Sequence, residues 1–187
     1  MSAKKVISQQ QIVEAAYSIV AECGMDGLNM REIAKRCGCS TQPIYLSFAN
    51  AEELKRAIVG KMVESYNSYI TTEIESELYP EYKATGMAYI RFAKEQPQFF
   101  KYLFMRNRVG EDVDEMATEF QREANRLSQY GIKSDIATAI HTHMWVYVHG
   151  IATMYATGYL NLDWEIVSVM LTEEFLAIKA RYALKEN

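Results

Sequence analysis

Thr41, Gln42 and Tyr45 place three different hydrogen-bonding side chains within five residues. A glutamine amide can pair with adenine through two hydrogen bonds, a threonine can bond a base or touch a thymine methyl, and a tyrosine hydroxyl can bond a phosphate. The chemistry this set suits is reading a duplex in its major groove, if a helix presents the three together. The local signals supply such a helix. Ser40 can cap a short helix running to Leu46, with Pro43 in its first turn, where proline is tolerated. Asn29 can cap a helix just before it, ending near Cys37 and turning Ile33, Ala34 and Cys37 inward. Gly38 suits the sharp turn between them, and Ile33, Ala34 and Ile44 can lock the pair. Two short helices joined by a glycine-containing turn of about three residues have the spacing of a helix-turn-helix. The same spacing also fits a plain helical hairpin in an all-helical core.

The remaining elements read as helical too. Apolar residues recur at three and four positions almost throughout. Helices are expected from Ser8 to Gly24, from Asn50 to about Glu77, from about Ala84 to Lys94 and from Pro97. Further ones are expected over Val113–Gln129, Ser134–Thr157 and Asp163–Leu184. Tyr79-Pro80-Glu81 and Val109-Gly110-Glu111-Asp112 are breaks. The expected fold class is all-α: a three-helix head with a helix-turn-helix, followed by an antiparallel helical bundle, about nine helices in all. The domains expected are residues 1–50 and 51–187.

Composition narrows the function. The 187 residues carry 20 basic and 24 acidic side chains, a net charge of −4, which argues against a basic coat that binds nucleic acid regardless of sequence. Residues 1–61 hold eight basic and six acidic residues, so the positive excess lies at the same end as Gln42 and Tyr45. No apolar run reaches the length of a membrane span, and the start lacks the apolar middle of a secretory signal. Three cysteines, an odd number, fit a reduced cytoplasmic setting. Cys37 and Cys39 are expected to be buried as small apolar side chains. His141 and His143, two apart on a helix, point in different directions, so neither a zinc site nor any other metal or cofactor is expected. No nucleophile–base set or phosphate loop argues for an enzyme.

Several segments together resemble the N-terminal signature of TetR-family transcriptional regulators. They are Ile12-Val13-Glu14-Ala15-Ala16, Glu22-Cys23-Gly24, Leu28-Asn29-Met30-Arg31-Glu32-Ile33-Ala34, Cys37-Gly38-Cys39-Ser40, Ile44-Tyr45-Leu46-Ser47-Phe48 and Asn50-Ala51-Glu52-Glu53-Leu54. The resemblance implies a DNA-binding head and a C-terminal domain that dimerises and holds a small ligand. It implies that Asn29 and Arg31 meet phosphate or a base, and that Ser40, Thr41, Gln42 and Tyr45 line the recognition helix, with Tyr45 on phosphate. Lys4 and Lys5 would form a short basic arm. Ala49, Ala51 and Ser47 stand where the family often has a lysine or a histidine, so phosphate binding would lean on Lys4, Lys5, Lys35 and Lys55. The partners implied are a palindromic double-stranded operator, a second copy of the chain and a small-molecule effector. Trp145, His149 and Gly150 further resemble a tryptophan-histidine-glycine pattern in the C-terminal domain of one subgroup.

Aromatic and methionine side chains are dense between residues 87 and 155. They suit either an ordinary core or a pocket for a largely apolar ligand. Phe92, Phe104, His143, Met144 and Tyr147 are the expected lining, with His141 and His149 as further polar points. The last helix is apolar on two sides, which suggests packing on its own domain and on a partner. The expected dimer residues are Ala152, Ile166, Met170, Phe175 and Ile178. Two readings stand at this point: a DNA-binding repressor released by a small ligand, or a helical ligand-binding protein or enzyme that does not act on DNA.

Overall fold

The computed structural model describes residues 7–107 and 114–183, so the expected arm residues Lys4 and Lys5 lie outside the described residues. Nine α-helices and no strand occur among the described residues. They are α1 Gln9–Cys23, α2 Met30–Cys37, α3 Gln42–Ser47, α4 Ala51–Glu75, α5 Glu81–Glu95, α6 Pro97–Phe104, α7 Asp114–Ser128, α8 Ser134–Thr157 and α9 Trp164–Ala183. The chain forms two compact units. One holds residues 1–68 and 96–106, the other 69–95 and 107–187. The division falls inside α4, and α6 belongs with the head.

In the first unit, α1 starts with reciprocal capping: the Gln11 amide donates to Ser8 Oγ at 3.2 Å, and the Ser8 amide donates to Gln11 Oε1 at 3.0 Å. Ile12, Ala16, Ile19 and Val20 of α1 are buried with Ile33 and Ala34 of α2 and Ile44 of α3. Leu54, Ile58 and Met62 of α4 and Phe99 and Phe100 of α6 are buried as well. Arg36 grips Glu22 through two hydrogen bonds of 2.7 and 2.8 Å, tying α2 to α1, and Lys61 pairs with Glu14. The turn after α2 works as its spacing predicts. Gly38 is left-handed at φ +66°, a conformation that costs other residues energy. Its N–H and that of Cys39 satisfy the last carbonyls of α2.

Helix boundaries depart from expectation in two places. The residue flanking α3 is Thr41, in helical conformation and without a side-chain cap bond, so Ser40 stands one residue outside and does not cap the helix. Pro43 accounts for the late start, since it needs no N–H partner in the first turn. Helix α5 begins at Glu81 rather than Ala84, because the Pro80 carbonyl accepts the Ala84 N–H at 2.9 Å and Glu81 faces the positive end of the helix dipole.

In the second unit α5, α7, α8 and α9 share a core that includes Met87, Ile90, Phe92, Leu127, Ile140, Met144, Val167 and Leu171. Gly86 permits the close approach: a Cβ there would stand 3.3 Å from Leu171 Cδ2 and 3.5 Å from Val148 Cγ2. Glu73 is buried and satisfied by Arg91, whose Nε donates at 3.0 Å.

Candidate nucleic-acid interface

Helix α3 has one fully buried side chain, Ile44, and this single anchor decides what faces out. Gln42, Tyr45 and Leu46 are exposed, Tyr45 to 64% and Leu46 to 80%. Asn29, Met30 and Arg31 at the start of α2 and Thr41 and Tyr45 at α3 line one open cleft. Four of the expected DNA-binding residues therefore converge on it. Asn29 reaches it already committed: its Oδ1 accepts the Glu32 N–H at 2.9 Å and its Nδ2 donates to the Gly27 carbonyl at 3.3 Å. It is the N-cap of α2 and fixes the backbone on which Arg31 stands. Arg31 makes no ion pair among the described residues, unlike Arg36 and Lys61, which the fold consumes. Lys35 and Lys55 sit beside Glu32 and Glu52 at 3.8 and 3.9 Å, exposed pairs of little strength. Met30 and Leu46 escaped the sequence reading. Leu46 lies one residue after Tyr45, and only its exposure distinguishes it from a core leucine.

The cysteines differ from expectation. Cys37 and Cys39 are half-buried, because the turn at Gly38 brings the chain to the surface, and Cys23 is exposed.

The expected ligand residues fall in both units. Phe104 belongs to the first unit, against the rings of Tyr66 and Phe100, both 5.2 Å away. Phe92 is fully buried, 5.4 Å from the Tyr69 ring. Met144 is buried, whereas neighbouring His143 is exposed near Tyr182, as the helical turn between successive residues demands. Tyr147 is half-buried, its phenol pushed up by burial and then by the Glu174 and Glu173 carboxylates. The histidines whose rings are hydrogen-bonded to a tyrosine hydroxyl are His141 and His149. Tyr82 Oη lies 2.9 Å from His141 Nδ1, and Tyr89 Oη 2.8 Å from His149 Nδ1. Phe120 lies 4.5 Å from the His141 ring and edge-on to Trp145, which stacks on His149.

Burial lowers His141 from its ordinary value of 6.5 to about 4. Between these values the unfolded chain binds a proton that the folded chain refuses. The stability this group contributes is complete above about pH 6.5 and is lost as pH falls toward 4. His141→Phe is therefore expected to flatten the stability–pH curve in that window, measured by urea unfolding at a series of pH values. A curve with the parent's slope would show that the ring is not held neutral.

The expected dimer residues divide. Ala152 and Ile178 are buried within their own chain, and Phe175 is half-buried with its ring 6.0 Å from that of Tyr82. Met170 is half-buried and Ile166 exposed. Ala152 and Ile178 are thus buried in the chain's own core, in a unit where α8 and α9 pack on each other. The large apolar side chains left exposed on these two helices are Trp145, Val146 and Met154 on α8 and Ile166, Val169 and Leu176 on α9, the last three at helical spacing. At Gly150 a Cβ would meet nothing within 4 Å.

Among the described residues no helix is long and apolar enough to cross a membrane. Two sequence models match the chain. Residues 12–58 match the bacterial regulatory proteins of the tetR family, and residues 82–173 match the tetracyclin repressor-like C-terminal domain. No curated protein matches. Among solved structures, a TetR-like transcriptional regulator from Rhodococcus sp. RHA1 is 15% identical, with a TM-score of 0.68 over 95% of this chain and 98% of its own. The fatty acid degradation regulator FadR from Bacillus halodurans is also 15% identical, with a TM-score of 0.60 over 94% and 96%. At such identities the likeness is one of fold. A helix-turn-helix with an exposed recognition helix, joined to a helical C-terminal region matched by the same family, makes this chain a member of the TetR family of DNA-binding, non-enzymatic transcriptional regulators.

Proposed function

We propose that the protein is a homodimeric repressor that inserts α3 into successive major grooves of a palindromic operator and leaves it when a small, largely apolar effector binds. The observation that carries the DNA half is the cleft of Arg31, Thr41 and Tyr45 beside the exposed Gln42. Tyr45 and Arg31 bond phosphates, and Gln42 reads a base. Thr41 and Leu46 meet thymine methyls, Ser40 bonds the backbone near α3, and Lys4 and Lys5 add charge. Asn29 acts through the cap it provides. Two recognition helices about 34 Å apart match one turn of the duplex. Operator binding places the protein in the cytoplasm with the chromosome. The first test is salt-sensitive, specific binding to a palindrome in the DNA upstream of its own gene.

Two substitutions separate positioning from reading. Tyr45→Phe is expected to weaken binding by roughly 1 kcal/mol at every site, since one phosphate hydrogen bond is lost. Gln42→Ala is expected to relax preference at one base position by about 1–3 kcal/mol. Selection from a random duplex library reads both. An unchanged motif for Gln42→Ala would remove the base-reading role.

For the effector, Met144 and the aromatic neighbours Phe120 and Trp145 offer apolar area, with His141 and His149 as neutral polar points. Trp145, His149 and Gly150 support the tryptophan-histidine-glycine subgroup. The effector must bind the arrangement that does not fit DNA better than the one that does. The dimer reading rests on the exposed apolar stripe of α8 and α9, which water does not favour leaving uncovered.

A further inference from the structure

The turn that joins α2 to the recognition helix carries two of the three cysteines, Cys37 and Cys39, flanking Gly38. Both are free thiols and half-buried. Gly38 is left-handed, and the N–H of Cys39 returns to the Ala34 carbonyl at 3.0 Å. The turn keeps the two thiols near each other: burial first, and then the neighbouring Cys39, push the Cys37 thiol up. Cys37 Sγ also lies 3.8 Å from the Gln11 carbonyl of α1. Thr41, the flanking residue of α3, comes two residues after Cys39, so a change in the turn reaches the recognition helix directly.

We propose that Cys37 and Cys39 are a reversible oxidation site: hydrogen peroxide joins them in a disulfide, the α2–α3 turn rearranges, and operator affinity falls. The last step rests on the operator-binding reading above. In the reaction one thiolate attacks a peroxide oxygen, the O–O bond breaks, and a sulfenic acid and one water form. The second thiol attacks the sulfenic sulfur, an S–S bond replaces the S–OH bond, and the second water leaves. Two sulfurs lose two electrons between them, and one peroxide gains them. Burial disfavours the Cys37 thiolate, which suits Cys37 to the resolving step.

A disulfide across a single residue is strained, because its sulfurs need a Cβ separation and a dihedral angle that a short ring resists. Strained disulfides have more oxidising potentials and are readily reduced, so this bond suits a switch rather than a staple. Strain also couples the bond to DNA binding. The ring cannot close without disturbing the hydrogen bonds that end α2 and set the path into α3. Cys23, the third cysteine, is exposed at the end of α1 and is the internal control.

The test begins with the reduced full-length protein. It is treated with hydrogen peroxide and followed by intact mass, peptide mapping, amide exchange and operator titration. The expected result is loss of two hydrogen atoms, a mapped Cys37–Cys39 bond and altered exchange over residues 30–47. Affinity should weaken by at least about tenfold, a readily measured change in Kd, and dithiothreitol should reverse all four. Cys37→Ser and Cys39→Ser should bind DNA when reduced and ignore peroxide, while Cys23→Ser responds as the parent does. Absence of the mapped bond, or a bond that leaves exchange over 30–47 unchanged, overturns the proposal, and neither measurement needs DNA. A reduced protein that binds no duplex would instead count against the operator reading.

Discussion

Leu176→Glu is expected to turn the proposed dimer into a monomer and to lower operator affinity by about 10²–10⁴-fold, the scale on which joining two binding modules strengthens binding. Leu176 is 56% exposed in the single chain, so a carboxylate there can remain in water and the monomer should fold. In a dimer built on the α8–α9 face, the same carboxylate would be buried without a partner, at a cost of several kcal/mol. Glu173 and Glu174 lie on the same helix and add like charge. The choice of Leu176 over Phe175 follows from the fold, since a charge at Phe175 would fall beside Tyr82 within its own chain. Sedimentation and a thermal melt check the result together. A variant that stays dimeric with a parental melt would show that the α9 stripe is not the interface.

The largest loss of stability is expected for Phe92→Ala, at about 3–5 kcal/mol. The ring is fully buried and meets Tyr69 edge-on, an arrangement that adds to its burial. Ala88, one turn away on the same face of α5, is too small to fill the space, so the core of the second unit should collapse only in part. Urea unfolding followed by circular dichroism measures the difference. A loss below about 1 kcal/mol would mean that the ring already borders empty space, which would favour the ligand-lining role that the sequence suggests for it.

Legibility in the sequence followed the range of the interaction concerned. The head was readable because its signals are local. Asn29, Gly38 and Pro43 act within a few residues of themselves, and the joint order of the segments around them carries the family resemblance. Ser40 misled by one position because two hydroxyl residues stand side by side and only the backbone at Thr41 decides between them. For His143 and Met144 the limit was a different one. Residue type suggested a pocket, but a helix separates neighbours by about 100°, and which of them faces inward depends on where α5 and α7 approach α8. Phe104 needed still more, since its membership of the first unit depends on α6 returning to α1.

The sequence by itself determined the helical period, the turn at Gly38, the polar set Thr41, Gln42 and Tyr45, of which Gln42 and Tyr45 are exposed, and the family. Each rests on residues close together in the chain, where backbone preference and hydrogen-bonding reach suffice. Only the tertiary structure decided that Arg36 is consumed by Glu22 while Arg31 makes no ion pair among the described residues, and that Ala152 and Ile178 are buried while Val146, Val169 and Leu176 are exposed. It also decided that Tyr82 and Tyr89 meet His141 and His149 across 59 and 60 residues of chain. Such pairings depend on the angles and offsets at which whole helices pack. Those are set by the sum of many small side-chain volumes, such as the missing Cβ of Gly86 against Leu171.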